Sequence, residues 1–259
     1  MISNLAYVHP DAQLGENVHV GPFSTIEADV KIGDNTKIES NVTIMNGTEI
    51  GHDCHIFPGA VIGADPQDLK YKGEPTKAIV GNHTVIRECV TINRGTNDRW
   101  ETRVGDHTLL MAYTHIGHDC IIGNHCILAN SAGVSGHVTI EDYATIEGQV
   151  GIAQFVRIGS FAFVGGMSGI RQNVPPFVKA ARTPLAFVGV NSIGMKRRGV
   201  PEEDIRAAEE IYKKLYIHNT TIAKGVDDIT FTVKDSKIKT QILEFIANSK
   251  NGIIKSPIN

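Results

Sequence analysis

Counting in steps of six from Val8 reaches Leu14, Val20, Ile26, Ile32, Ile38, Ile44, Ile50, Ile56 and Ile62 without a miss. The frame skips the polar positions 68 and 74 and resumes unshifted at Val80, Ile86 and Ile92. After one more gap at 98 it continues through Val104, Leu110, Ile116, Ile122, Leu128, Val134, Ile140, Ile146, Ile152, Ile158, Val164 and Ile170. All 25 anchors are Val, Ile or Leu, so chance does not account for the register. A period of six matches neither the turn of an α-helix nor the spacing of hairpins. It describes a coil of short strands bent at regular corners. Three hexads close one turn, and each turn hydrogen-bonds to the next.

A second column supports the first. Four residues after an anchor the side chain is small or β-branched, as at Ser24, Thr36, Cys54, Ala60, Thr114, Cys120, Cys126, Ala132, Ala144, Ala162 and Ser168. Gly often follows the anchor directly, for example Gly21, Gly33, Gly51, Gly81, Gly105, Gly117, Gly123 and Gly159, and is expected to relax the backbone at the bends. Only 6% of residues are aromatic while 26 are Gly, which fits a narrow interior with many corners. Cys54, Cys120 and Cys126 stand in the small inward column, so packing is a sufficient reason for them.

Residues 64–79 and 93–103 interrupt the pattern and should project as loops from the coil. Beyond Ile170 the chain turns irregular and proline-rich. PEEDIRAAEEIYKKLYI then places Ile205, Ala208, Ile211, Tyr212 and Leu215 at helical spacing, and SKIKTQILEFIANSK does the same with Ile238, Ile242, Phe245 and Ile246. The expected architecture is mainly β, a parallel β-helix over residues 1–185 followed by an α-helical appendage over 186–259. The formal charge of −3 gives no general drive toward nucleic acid. The sequence contains no apolar run long enough to span a bilayer and no signal-peptide pattern at MISNLAYVHPDAQ, so a cytoplasmic protein is the expectation.

Chemistry is sought first among the 11 histidines. His83, His107, His125 and His137 each fall three residues after an anchor and should project from equivalent places. A histidine on such a coil is most simply a solvated polar residue. THIGHDC stands apart, because Asp119 follows His118 and a carboxylate can hold one imidazole nitrogen while the other takes a proton. Neighbours on a flat strand point to opposite sides, so the pair needs a bend there.

The strings DPQDLKYKGEPT (65–76), THIGHDCIIGNHCILAN (114–130), GHVTI (136–140), VGGMSG (164–169) and GVNSIGMKRRG (189–199) resemble the UDP-N-acetylglucosamine acyltransferases, which open lipid A biosynthesis. The resemblance covers essentially the whole chain. It implies a left-handed coil, a homotrimer with active sites between subunits, and transfer of a 3-hydroxyacyl group from acyl carrier protein to the glucosamine 3-hydroxyl, with no cofactor and no metal. It further implies His118 as general base, Asp119 as its orienting partner and the Gly136 N–H as oxyanion donor. Asp68 and Lys70 would reach the sugar nucleotide in a neighbouring subunit's cleft. His115, His137 and Gln154 would contact acceptor and acyl hydroxyl, Asn191, Arg197 and Arg198 would bind uridine and phosphate, and Gly166 would set acyl length. The basic Lys196-Arg197-Arg198 edge would attract the acidic carrier protein.

Two positions depart from the family pattern: Ala153 stands where a histidine is common, and Ile193 where a glutamate is. Ala153 leaves open an amine in place of the acceptor hydroxyl. A metalloenzyme resembling γ-class carbonic anhydrase is the main rival, with His83, His107 and His125 as ligands across a subunit boundary. A non-catalytic scaffold is a third reading.

Overall fold

The repeat forms a three-sided prism in a computed structural model of the chain, which describes residues 1–256. Most strands are two residues long, an outward residue followed by an anchor; His115–Ile116, Ile121–Ile122 and Ile127–Leu128 make one turn. They stack in parallel into sheets of nine, eight and ten strands. On the first face Ile44, Ile62, Ile92, Ile116, Val134 and Ile152 stand in one column. Successive partners are 18 residues apart, widened to 30 and 24 at the two insertions. All three steps are multiples of six, which is why the sequence frame survives both loops.

Every anchor from Val20 to Ile170 is buried, and so is the second column from Ser24 to Ser168. Its polar members have a specific task. The carbonyl after each anchor turns out of the sheet at the corner and needs a donor. Thr36 Oγ1 donates to the Gly51 carbonyl at 2.8 Å, Thr108 Oγ1 to Gly123 at 2.9 Å, and Cys126 Sγ to Glu141 at 3.2 Å.

The corners correct the expectation about glycine. Left-handed backbone falls three residues after the anchor, on non-glycine residues such as Asn17, Asn35, His83, His107 and His125, with φ between 53° and 57°. Each such residue costs about 1–2 kcal/mol. Inter-turn hydrogen bonds hold it there, as the His125 N–H donating to the Asp106 carbonyl at 2.8 Å does. Glycine after the anchor is required for a different reason: a Cβ on Gly33 would lie 2.6 Å from the His52 nitrogen of the next turn. The Asx residue that follows such a glycine accepts an N–H from the turn below, as Asn124 does from Asp106 at 2.8 Å and Asp106 from Asn82 at 2.7 Å.

Strand Val178–Ala181 extends the third sheet, and Ala186–Val190 pairs with it antiparallel. Four helices follow: α1 (Ser192–Arg197), α2 (Glu202–Lys213, running into a π-helical turn at 214–218), α3 (Ile222–Thr232) and α4 (Lys237–Ala247). The sequence spacing anticipates α2 and α4, and their inward residues Ile205, Ala208, Ile211, Tyr212, Ile238, Ile242 and Phe245 are buried. It misses α1 and α3. The first is six residues long, and the second buries only Gly225 and Ile229, too few to show a period. Tyr212 and Tyr216 tie the helices down, donating to the carbonyls of Pro176 (2.6 Å) and Ile254 (2.9 Å). Among the described residues no helix is long and apolar enough to cross a membrane.

Candidate active site

Both insertions leave the prism from one edge, between its first and second faces. Residues 65–76 join Val61–Ala64 to Lys77–Val80, and residues 94–100 join Thr91–Asn93 to Glu101–Val104. Later turns bring His118 and Asp119, then Gly136 and His137, then Gln154 and Phe155 to this same edge.

Asp119 occupies the left-handed corner position, φ 58°, and this supplies the bend that the pair needs. His118 Nδ1 lies 2.8 Å from Asp119 Oδ2. The carboxylate is fully buried and surrounded by donors: the Thr96 N–H and Arg99 N–H reach Oδ1 at 2.9 and 3.2 Å, and the Thr96 hydroxyl reaches Oδ2 at 2.7 Å. Burial pushes the carboxyl pKa up, but the bonds from His118, Thr96 and Arg99 outweigh it and hold Asp119 below the usual carboxylate range. When the neutral ring donates Nδ1–H to the ionised Asp119, the lone pair lies on Nε2.

Gly136 lies directly against that nitrogen. A Cβ there would fall 2.6 Å from both Cε1 and Nε2 of His118, so only glycine fits. Its N–H finds no acceptor among the described residues. His115 Nδ1 is 2.7 Å from Thr91 Oγ1, and burial, with the nearby charge of His118, lowers its pKa and favours a neutral ring. His137 packs edge-on against His118 at 5.0 Å and stacks on Phe155 at 4.6 Å. Gln154 is exposed at the end of this series.

Asp68 and Lys70 line a cavity of about 300 Å³ together with Tyr71, Glu74, Thr96, Asp98 and the same chain's His137. The loop thus faces a cavity that it shares with its own chain's His137. Asn191, Arg197 and Arg198 are elsewhere, on the edge between the second and third faces, where Asn191 Nδ2 donates to the Phe161 carbonyl at 2.9 Å and Arg198 lies over Tyr143 at 5.6 Å. Asn191 also caps α1 through the Gly194 N–H at 3.2 Å. Gly166 is on the third edge, beside Gly148 and Glu147. One chain therefore carries the sequence-marked residues on separate edges.

His83, His107 and His125 stack face to face with centroids 4.7 Å apart, so their nitrogens do not converge within the chain. Among the described residues, the sets that bring three metal-binding atoms together are His52, Asp53 and His83 on the surface and His118, Asp119 and His137 at the edge described above. Cys120, two residues after His118, is no nucleophile: burial pushes its thiol up to about 12, and its sulfur donates to the Ser135 carbonyl at 3.0 Å.

Comparison with known proteins decides the family. The profile described as UDP N-acetylglucosamine O-acyltransferase, domain 2, matches residues 173–254, and that for six bacterial transferase hexapeptide repeats matches 101–136. A profile for a GMPPB C-terminal domain matches residues 2–97. An acyl-[acyl-carrier-protein]–UDP-N-acetylglucosamine O-acyltransferase of Sulfurihydrogenibium is 55% identical over 96% of this chain and 92% of its own. One from Pseudomonas savastanoi is 42% identical over 98% of this chain and 99% of its own. The chain belongs to the UDP-N-acetylglucosamine O-acyltransferase family. The crystal structure of a UDP-N-acetylglucosamine acyltransferase from Bacteroides fragilis superposes with a TM-score of 0.96 at 44% identity, covering 98% of this chain and 100% of that one. The fold is the left-handed parallel β-helix. Within this O-acyltransferase frame Ala153 is half-buried beside the edge and Ile193 is exposed on α1.

Sequence reasoning missed Thr96 and Arg99, which hold Asp119 through three hydrogen bonds to its carboxylate, while Arg99 Nη1 adds a fourth to the Asp119 carbonyl at 2.9 Å. The available signal was the placement of their loop, an insertion one turn before THIGHDC that carries hydroxyl and guanidinium donors.

Proposed function

We propose that the chain transfers a 3-hydroxyacyl group from acyl carrier protein to the 3-hydroxyl of UDP-N-acetylglucosamine, with His118 as general base. The observation that carries this reading is the His118 imidazole itself, fixed at Nδ1 by Asp119 with Nε2 against Gly136. Nε2 takes the proton of the sugar hydroxyl as its oxygen attacks the thioester carbonyl. The Gly136 N–H receives the oxyanion of the tetrahedral intermediate. The intermediate collapses by expelling the thiolate, which takes the proton back from His118. No acyl-enzyme forms and neither cofactor nor metal takes part.

Asp68, Lys70, His137 and Gln154 would hold the sugar and its phosphates, and His115, kept neutral, would meet the acyl hydroxyl. Gly133, Gly151 and Gly169 follow His115 in register along the first face, and a Cβ on any of them would meet nothing within 4 Å. That bare strip is a track for an acyl chain running toward Gly166. Asn191, Arg197 and Arg198 stand on another edge and would complete a neighbour's site in a homotrimer. The exposed Lys196, Arg197 and Arg198 would also draw in the acidic carrier protein.

The test is an assay of purified protein with a panel of acyl carrier protein thioesters against UDP-N-acetylglucosamine and its 3-amino analogue. The expected product is the 3-O-acyl ester from a 3-hydroxyacyl donor. Turnover confined to the amino sugar would replace the hydroxyl acceptor with an amine, and none with either would overturn the reading.

A further inference from the structure

We infer that Thr96, delivered by the second inserted loop, is a positioning residue that tunes the His118–Asp119 pair; this rests on the reading of His118 as the base. The loop is already pinned to Asp119 without the Thr96 side chain, because Oδ1 accepts the backbone N–H groups of Thr96 and Arg99 (2.9 and 3.2 Å) and the Asp119 carbonyl accepts Arg99 Nη1 (2.9 Å). The Thr96 hydroxyl goes instead to Oδ2 at 2.7 Å, the oxygen that holds His118 Nδ1. Thr96 is buried, so water does not replace its bond.

Two consequences follow from sharing that oxygen. The hydroxyl fixes the carboxylate plane, and with it the direction of the imidazole. It also draws charge from Oδ2, so that less is spent on holding a proton on His118. The other charged or titratable groups facing this oxygen and its partner ring among the described residues are His137, whose Nε2 is 3.8 Å from Oδ2, Asp98, 3.1 Å from His137 Nδ1, Arg99, and the buried His115, which feels the charge of His118. Neither His137 nor Arg99 hydrogen-bonds Oδ2, so nothing else in the site substitutes for the hydroxyl.

Thr96→Val removes the hydroxyl at nearly constant volume. The expected result is a roughly tenfold fall in kcat with KM for UDP-N-acetylglucosamine within about twofold, the signature of lost transition-state positioning. The ascending limb of kcat/KM against pH should also move to higher pH, a shift that a partly unfolded but otherwise normal enzyme does not show. Thr96→Ser should restore both. A Thr96→Val enzyme with wild-type kcat and an unmoved limb would overturn the inference, and so would a Thr96→Ser enzyme as impaired as the valine variant. His118→Ala assayed in parallel separates the two readings: full activity there sinks the base itself, whereas an inactive His118→Ala beside a normal Thr96→Val sinks only the role of Thr96.

Discussion

Replacing His118 by Ala is expected to lower kcat by about 10²- to 10⁴-fold while the coil stays folded, the range associated with loss of a positioned proton acceptor. The described residues offer no stand-in. His115 is engaged at Nδ1 with Thr91 and made a weaker base by burial, and His137 is edge-on to the vacated space, not behind it. Stability should change little, because Asp119 keeps the Thr96 and Arg99 donors that neutralise its buried charge. The check is turnover of acyl carrier protein thioester with UDP-N-acetylglucosamine, alongside a thermal melt. A folded variant at near wild-type rate would remove His118 from the chemistry.

A second large effect is expected from a single methyl group. Gly136→Ala keeps the backbone N–H and demands no unusual φ, so loss of an oxyanion donor is not at issue. What changes is space: the new Cβ would stand 2.6 Å from Cε1 and Nε2 of an imidazole that Asp119 holds from the other side. The ring has to move by the better part of an ångström, and displacement on that scale is worth about 10²-fold in rate. We expect kcat to fall by about that factor with a melting temperature close to wild type. Unaltered kcat would mean that the edge of His118 facing Gly136 is not the working one.

The two predictions draw on different kinds of information. The acid beside His118 marked it only weakly in the sequence, and its role as base was implied by the resemblance to the acyltransferase family rather than by spacing. The steric role of Gly136 was not legible, since it depends on a ring one turn away. The coil was legible throughout because its steps of 18, 24 and 30 residues preserve one frame and put every anchor from Val20 onward inside. The corner conformation was read onto the wrong residue, glycine after the anchor, because glycine is the usual occupant of left-handed backbone. In this coil the inter-turn ladder holds Asn, His and Asp in that conformation, and glycine is needed for close approach instead. Thr96 and Arg99 were hidden for a related reason: an insertion has no period, so the placement of the loop one turn before THIGHDC points to this edge without saying which of its side chains fold back onto Asp119. Helix α3 escaped because a helix that buries two residues leaves no stripe to count.

The measurement that bears most directly on all of this is a crystal structure of the protein with UDP-N-acetylglucosamine bound and no acyl donor present. We expect the sugar's 3-hydroxyl about 2.6–3.2 Å from His118 Nε2, in a groove completed by a neighbouring copy's Asn191 and Arg198. A nucleotide sugar bound away from that nitrogen, or a His118 edge facing open solvent with no second copy beside it, would contradict the account.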